Sequence, residues 1–128
     1  MLPLLLMLAA AQAAPVPAAI GDFDHDGAPD KAFVGTAADG SSQLIVELAS
    51  RRAPYVIAPL KPSTSFYIET LTPGRYDTAC GKGTGRARDC PGKQVTLAGD
   101  TLAFGTREAS RAVAVWNGTG FDTVWLSD

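Results

Sequence analysis

Residues 21–34 read GDFDHDGAPDKAFV. Asp22, Asp24, Asp26 and Asp30 fall within nine residues, with Gly27 among them. Like charges held this close raise one another's pKa and push the backbone apart, so a fold that keeps them together must offset the repulsion. Numbered from Asp22, the aspartates take positions 1, 3, 5 and 9 and the glycine position 6, the D-x-D-x-D-G spacing of a calcium loop. Calcium takes about six to eight oxygens at roughly 2.3–2.6 Å, and carboxylates on alternate residues of a tightly curved loop can converge on one point. Gly27 permits the sharp turn. The carbonyl of Ala28 at position 7 can then face the ion, and Asp30 closes the shell. Phe23 and His25 occupy the alternate positions and are expected to point away. The competing account is a solvated acidic loop that holds no ion. The regular spacing around Gly27 favours the site. The ion expected there is structural, fixing the loop ahead of the first strand, with an affinity of about 10⁻⁴–10⁻³ M as in extracellular modules.

The loop is not an EF-hand. Position 12 is Phe33 rather than a bidentate glutamate, and no helical pattern flanks the loop. The next residues, Lys31-Ala32-Phe33-Val34, start like a strand. Gly-Asp-Phe-Asp-x-Asp-Gly-x-x-Asp before a short hydrophobic strand resembles the calcium loop of FG-GAP or VCBS-type repeats, which are blades of β-propellers in integrin-like and secreted bacterial proteins. The resemblance spans residues 21–34. It implies Asp22, Asp24, Asp26 and Asp30 as side-chain ligands and Ala28 as a backbone ligand. It does not extend to a propeller, because there is one copy in 128 residues and a propeller needs at least about four blades. A second likeness covers most of the chain. TPGRYDTACGKG, a second cysteine, and the closing WNGTGFDTVWLSD are similar to small exported bacterial proteins of uncharacterised function that also carry one such loop near the N-terminus.

Two cysteines, Cys80 and Cys90, enclose GKGTGRARD. A glycine-rich basic stretch cannot pack a core, and a disulfide would stabilise it by about 3 kcal/mol on the chain-entropy model. A metal-binding pair and two free thiols are the other readings. Zinc wants four ligands, and the only histidine, His25, is distant in sequence. The expected state is a disulfide, which implies an oxidising compartment.

Other chemistry is thin. GKGTGR fails the phosphate-loop pattern, because Gly83 comes directly after Lys82. Arg75, Lys82, Arg86, Arg88 and Lys93 form a cationic cluster against Asp77 and Asp89, either a solvated loop or a surface for an acidic partner or anionic glycan. Nucleophilic catalysis lacks a base outside the metal loop. Glu47, Glu69 and Glu108 are too dispersed to propose as an acid/base pair. Trp116, Trp125, Tyr76 and Phe121 either pack between strands, the expected role, or form a binding surface.

The elements that must position these residues read as strands. DKAFVGTA (30–37) leads to Asp39-Gly40, a hairpin signal, and then to QLIVELA (43–49), where Leu44, Val46 and Leu48 alternate with Gln43, Ile45 and Glu47. APYVIAP (53–59) and SFYIETLT (65–72) come next. QVTLAGDTLAFG (94–105) reads as a hairpin turning at Ala98-Gly99-Asp100. Asn117-Gly118-Thr119-Gly120 is a turn between two final strands. Helical periodicity is absent apart from a single helical turn expected within 104–112. The fold expected is all-β, a single small domain of seven or eight short, mostly antiparallel strands with an N-terminal calcium loop.

Residues 1–13 read as a secretory signal peptide. The run Leu2 to Ala11 is too short to span a bilayer as a mature helix, and Ala11-Gln12-Ala13 offers an A-x-A cut before Ala14. No Lys or Arg precedes the run. Residues 14–20 read as a linker and 21–128 as the calcium-binding β-domain. A net charge of −2 gives no reason to expect nucleic acid, and stable membrane insertion is not expected. The expectation is a periplasmic or secreted protein, a binding protein rather than an enzyme. It would act as an inhibitor or immunity-like protein that docks on a protein or glycan partner in the cell envelope, with its oligomeric state open. The alternatives are a calcium-dependent hydrolase and a structural accessory subunit of an envelope complex.

Overall fold

A computed structural model describes residues 18–61, 65–83, 90–107 and 109–127. The first sheet runs β1 (Ala18–Gly21), β2 (Asp30–Thr36), β3 (Ser42–Glu47), β4 (Tyr55–Leu60), each strand antiparallel to the next. The second sheet has the order β10 (Phe121–Ser127), β9 (Ser110–Trp116), β8 (Thr101–Thr106), β5 (Phe66–Leu71), again antiparallel. A third, two-stranded piece pairs β6 (Gly74–Asp77) with β7 (Gln94–Leu97).

The alternation in 43–49 decides how the layers stack. Leu44, Val46 and Leu48 are buried, and they meet Leu102, Phe104, Ala112 and Ala114 of the second sheet in one core. The opposite face of the second sheet is apolar as well. Ala103, Val113, Val124 and Leu126 pack with Leu71 and Leu97, and Tyr76 and Val95 of the β6–β7 hairpin close over them. The second sheet is therefore the middle layer, which is why TLAFG of β8 is buried at every position instead of alternating. At one side Thr70 Oγ1 donates to the Ile20 carbonyl (3.0 Å), tying β5 to β1. At the other, Tyr55 stacks edge-on against Trp116 and Phe121 and donates to the Thr119 carbonyl (2.7 Å).

The all-β antiparallel expectation holds, with ten strands among the described residues rather than seven or eight. The two additions, AAIG of β1 and GRYD of β6, have weak strand propensity and gain their conformation from a partner strand. β1 takes in Ala18–Ile20 of the stretch read as linker. Both turns expected around Asp39-Gly40 and 117–120 form, closed by Gly40 N–H to Ala37 C=O and Asn117 N–H to Gly120 C=O (2.9 Å each). The hairpin expected over 94–105 does not form. Its two strands exist, but β7 pairs with β6 and β8 with β5 and β9. A strand buried on both faces belongs in the middle of a sheet, so β8 leaves its sequence neighbour, and 98–100 become a corner between layers. The helical turn expected in 104–112 is not found among the described residues of that range either. β8 and β9 meet there in a tight connection with Ala109 N–H bonded to Thr106 C=O (3.0 Å). Among the described residues the only helical piece is a 3₁₀ turn, η1 (Cys80–Lys82). No helix among them is long and apolar enough to cross a membrane.

Candidate metal centre

The acidic loop leaves β1 at Gly21 and enters β2 at Asp30, and these two residues are themselves a cross-strand pair. The loop is thus closed at its base by the sheet. Gly21 is required there by space, since a Cβ would lie 2.9 Å from the Phe23 ring and 3.0 Å from Thr70. Gly27 is required by conformation, with φ at 90° and open space around it. His25, at φ 57°, takes the other left-handed position.

The four aspartates converge. One carboxylate oxygen from each of Asp22, Asp24, Asp26 and Asp30 lies within 4.8 Å of all the others. Phe23 points the opposite way, 1% exposed in the core, and anchors the loop. His25 is an exposed residue turned from the cluster, with Nε2 3.2 Å from the Asp100 carbonyl and its ring against Gly99. The loop's own amides hold the carboxylates. Asp22 accepts from the N–H groups of Asp26 (3.0 Å) and Gly27 (2.9 Å), and Asp26 from Ala28 (2.9 Å). Asp30, 2% exposed, accepts from Phe23 (2.9 Å), Asp24 (3.3 Å) and Ala49 (2.9 Å). Asp30 is therefore a structural clamp as well as a candidate ligand.

Asp24 is the unbalanced member. One oxygen accepts from Ser50 Oγ (3.1 Å), and the other, Oδ1, is buried with no partner. An unsatisfied buried carboxylate oxygen is costly and calls for a donor or a cation. Burial, then proximity to Asp26 and Asp30, pushes the Asp24 carboxyl up from 3.8 to about 6, against the opposing bond from Ser50. The exposed Asp26 moves the other way, lowered chiefly by the Ala28 N–H. This donor set, four hard oxygens with one uncompensated, fits a hard divalent cation.

The raised Asp24 pKa makes stability depend on pH, and with it the binding of any cation held there. In the metal-free protein the native state binds more protons than the unfolded chain between about pH 4 and 6, so Asp24 lowers stability as pH rises through that window. A cation needs the same carboxylate ionised. Divalent-cation affinity should therefore fall as pH drops below about 6, and titrations at pH 7.5 and pH 5 should differ at least several-fold. Equal affinities at the two pH values would exclude Asp24 as a ligand.

Three contributors lie outside the acidic run. Ser50 and the Ala49 amide come from the β3–β4 connection, and Asp100 comes from the corner between β7 and β8, its carboxylate 3.5 Å from the Asp22 amide. Nothing local marks them, because Asp100 stands 78 residues from Asp22 and the chain crosses three layers between them.

Elsewhere, Cys80 and Cys90 form the expected disulfide, Cα atoms 5.5 Å apart. Lys82 and Lys93 flank a shallow hollow with Asp77, Gly81 and Gln94. Arg75 lies on β6, while Arg86, Arg88 and Asp89 fall outside the described residues, as does Glu108. Trp116, Phe121 and Tyr76 pack against the two cores as expected, whereas Trp125 is 47% exposed. Glu69 pairs with Arg111 at 2.6 Å, on the side of the second sheet that the hairpin leaves open, and Glu47 is exposed on the first sheet. No protein-family model matches the sequence, and neither a curated protein nor a solved structure matches it.

Proposed function

We propose that this chain is an exported calcium-binding β-domain that works by binding a partner in the cell envelope, in the manner of an inhibitor or immunity-like protein. The ion sits in the β1–β2 loop, held by Asp22, Asp24, Asp26 and Asp30 with the Ala28 carbonyl. It supplies the positive charge that lets these carboxylates share one small volume. The observation that carries the reading is the buried, unpartnered Asp24 Oδ1 beside three other carboxylates. Calcium is preferred to magnesium on the donor set. The D-x-D-x-D-G spacing offers a shell made almost wholly of protein oxygens, which calcium accepts with flexible geometry, whereas magnesium demands near-octahedral geometry and keeps several waters. The D-x-D-x-D-G spacing ahead of a strand, which resembles that of FG-GAP or VCBS-type loops, supports a structural ion. Export is supported by the leader-like residues 1–13 and by the Cys80–Cys90 disulfide.

The test is melting with calcium, chelator or magnesium, together with titration calorimetry. Calcium at about fifty times its Kd should stabilise the fold by roughly 2 kcal/mol and raise Tm by on the order of 10 °C. Magnesium should give a smaller rise. Identical melting in all three conditions with flat calorimetry would overturn the site. The binding role is tested separately by retention of an envelope protein or glycan from extract in millimolar calcium, and failure to retain either would overturn it.

A further inference from the structure

The outward face of the first sheet carries cross-strand rows of unusual composition. One row reads Ala18, Phe33, Ile45, Val56 across all four strands, without a polar residue. The next reads Ile20, Lys31, Glu47, and the one on the other side Gly35, Gln43, Pro59. None of these apolar side chains belongs to either core cluster, and Ile20 and Val56 are 68% and 53% exposed. The Lys31 ammonium lies 5.5 Å from the centre of the Phe33 ring, which places both side chains on this face. Scattered exposed apolar residues are ordinary, but a continuous apolar band across a sheet is not.

We propose that this face is the contact surface of a symmetric homodimer. The register supplies the reason for a second copy rather than another occupant. A twofold axis parallel to the strands and midway between β2 and β3 exchanges each β2 residue with its β3 partner on the facing sheet. Lys31 of one copy then meets Glu47 of the other, and Glu47 meets Lys31. Phe33 meets Ile45, and Ala18 on β1 meets Val56 on β4. Lys31 and Glu47 are opposite in charge, Phe33 and Ile45 are both apolar, and each is already a cross-strand pair within one sheet; Ala18 and Val56 end the same apolar row, and Gly35 meets Gln43 without opposing charges. Two sheets stacked this way lie about 10 Å apart with strands aligned to within roughly 30°. The contact is isologous and closes, so it forms a dimer and not a filament. The same axis brings both metal loops to one end of the dimer.

The test is sedimentation velocity over a concentration series, with circular dichroism and melting to show that each variant folds. The wild-type chain should dimerise with a Kd on the order of micromolar. K31E sets acid against acid at two symmetric positions and E47K sets base against base, so each should weaken dimerisation by at least about tenfold. The double variant K31E/E47K restores both opposed pairs and should return to within about threefold of wild type. V56D, at a half-exposed position, should leave a folded monomer. A wild-type chain that stays monomeric to about millimolar concentration overturns the proposal. So does dimerisation of V56D equal to wild type, or a double variant as weak as the single ones.

Discussion

Asp30→Ala should cost the metal-free protein roughly 3–6 kcal/mol, because it removes the acceptor for three backbone N–H groups at once. Two of those amides, Phe23 and Asp24, are enclosed with Asp30, which is 2% exposed, so water reaches them poorly. A loss of this size is a large share of the stability of a small domain. Asp30→Asn keeps one acceptor oxygen and sheds the charge, so it should fall between wild type and alanine. Asp26→Ala is the contrast. Its carboxylate is exposed and its chief partner is the Ala28 amide, which solvent can satisfy, so metal-free melting should barely change. Both alanine variants should lose calcium affinity by at least tenfold. Urea titrations in chelator, paired with calorimetry, separate the two roles. Metal-free stability of Asp30→Ala equal to that of Asp26→Ala would show that the clamp is not structural.

Phe23→Ala should be of similar size, about 3–5 kcal/mol, for a different reason. Phe23 is the largest fully buried side chain and packs with Leu44, Val46, Leu102 and Phe104 between the two sheets. Its removal opens a cavity that the neighbours, fixed in strands, cannot fill. The same side chain seats the acidic loop, so calcium affinity should fall although no ligand is touched. Phe23→Leu should recover most of both losses. Ile20→Ala, two thirds exposed, should change stability by less than about 0.5 kcal/mol. Denaturation midpoints in chelator and in calcium test all three, and a Phe23→Ala protein as stable as wild type would contradict the anchoring role.

Together these variants describe a loop with two supports. The amides and the phenyl ring hold its shape without an ion, and the carboxylate left over, Asp24, is the one that a bound cation would satisfy. A chelator should therefore loosen the loop and lower Tm without unfolding the domain at room temperature.

What is local was legible in the residues alone. Spacing and residue type marked the four aspartates, the Gly27 turn and the alternation of Leu44, Val46 and Leu48, because period and turn chemistry act over a few residues. The Cys80–Cys90 bridge was legible for the same reason, as one short loop with two thiols. Which strands pair depends on long-range packing. TLAFG of β8 has no period to read, and only its place between two apolar layers makes it central and separates it from β7. β1 and β6 are strands because a partner's backbone groups demand pairing, a condition absent from AAIG and GRYD as sequences. Ser50, Ala49 and Asp100 reach the acidic loop only after the chain has folded back on itself. Contacts between residues far apart in the chain carry no local signature, because what joins them is burial of a shared core.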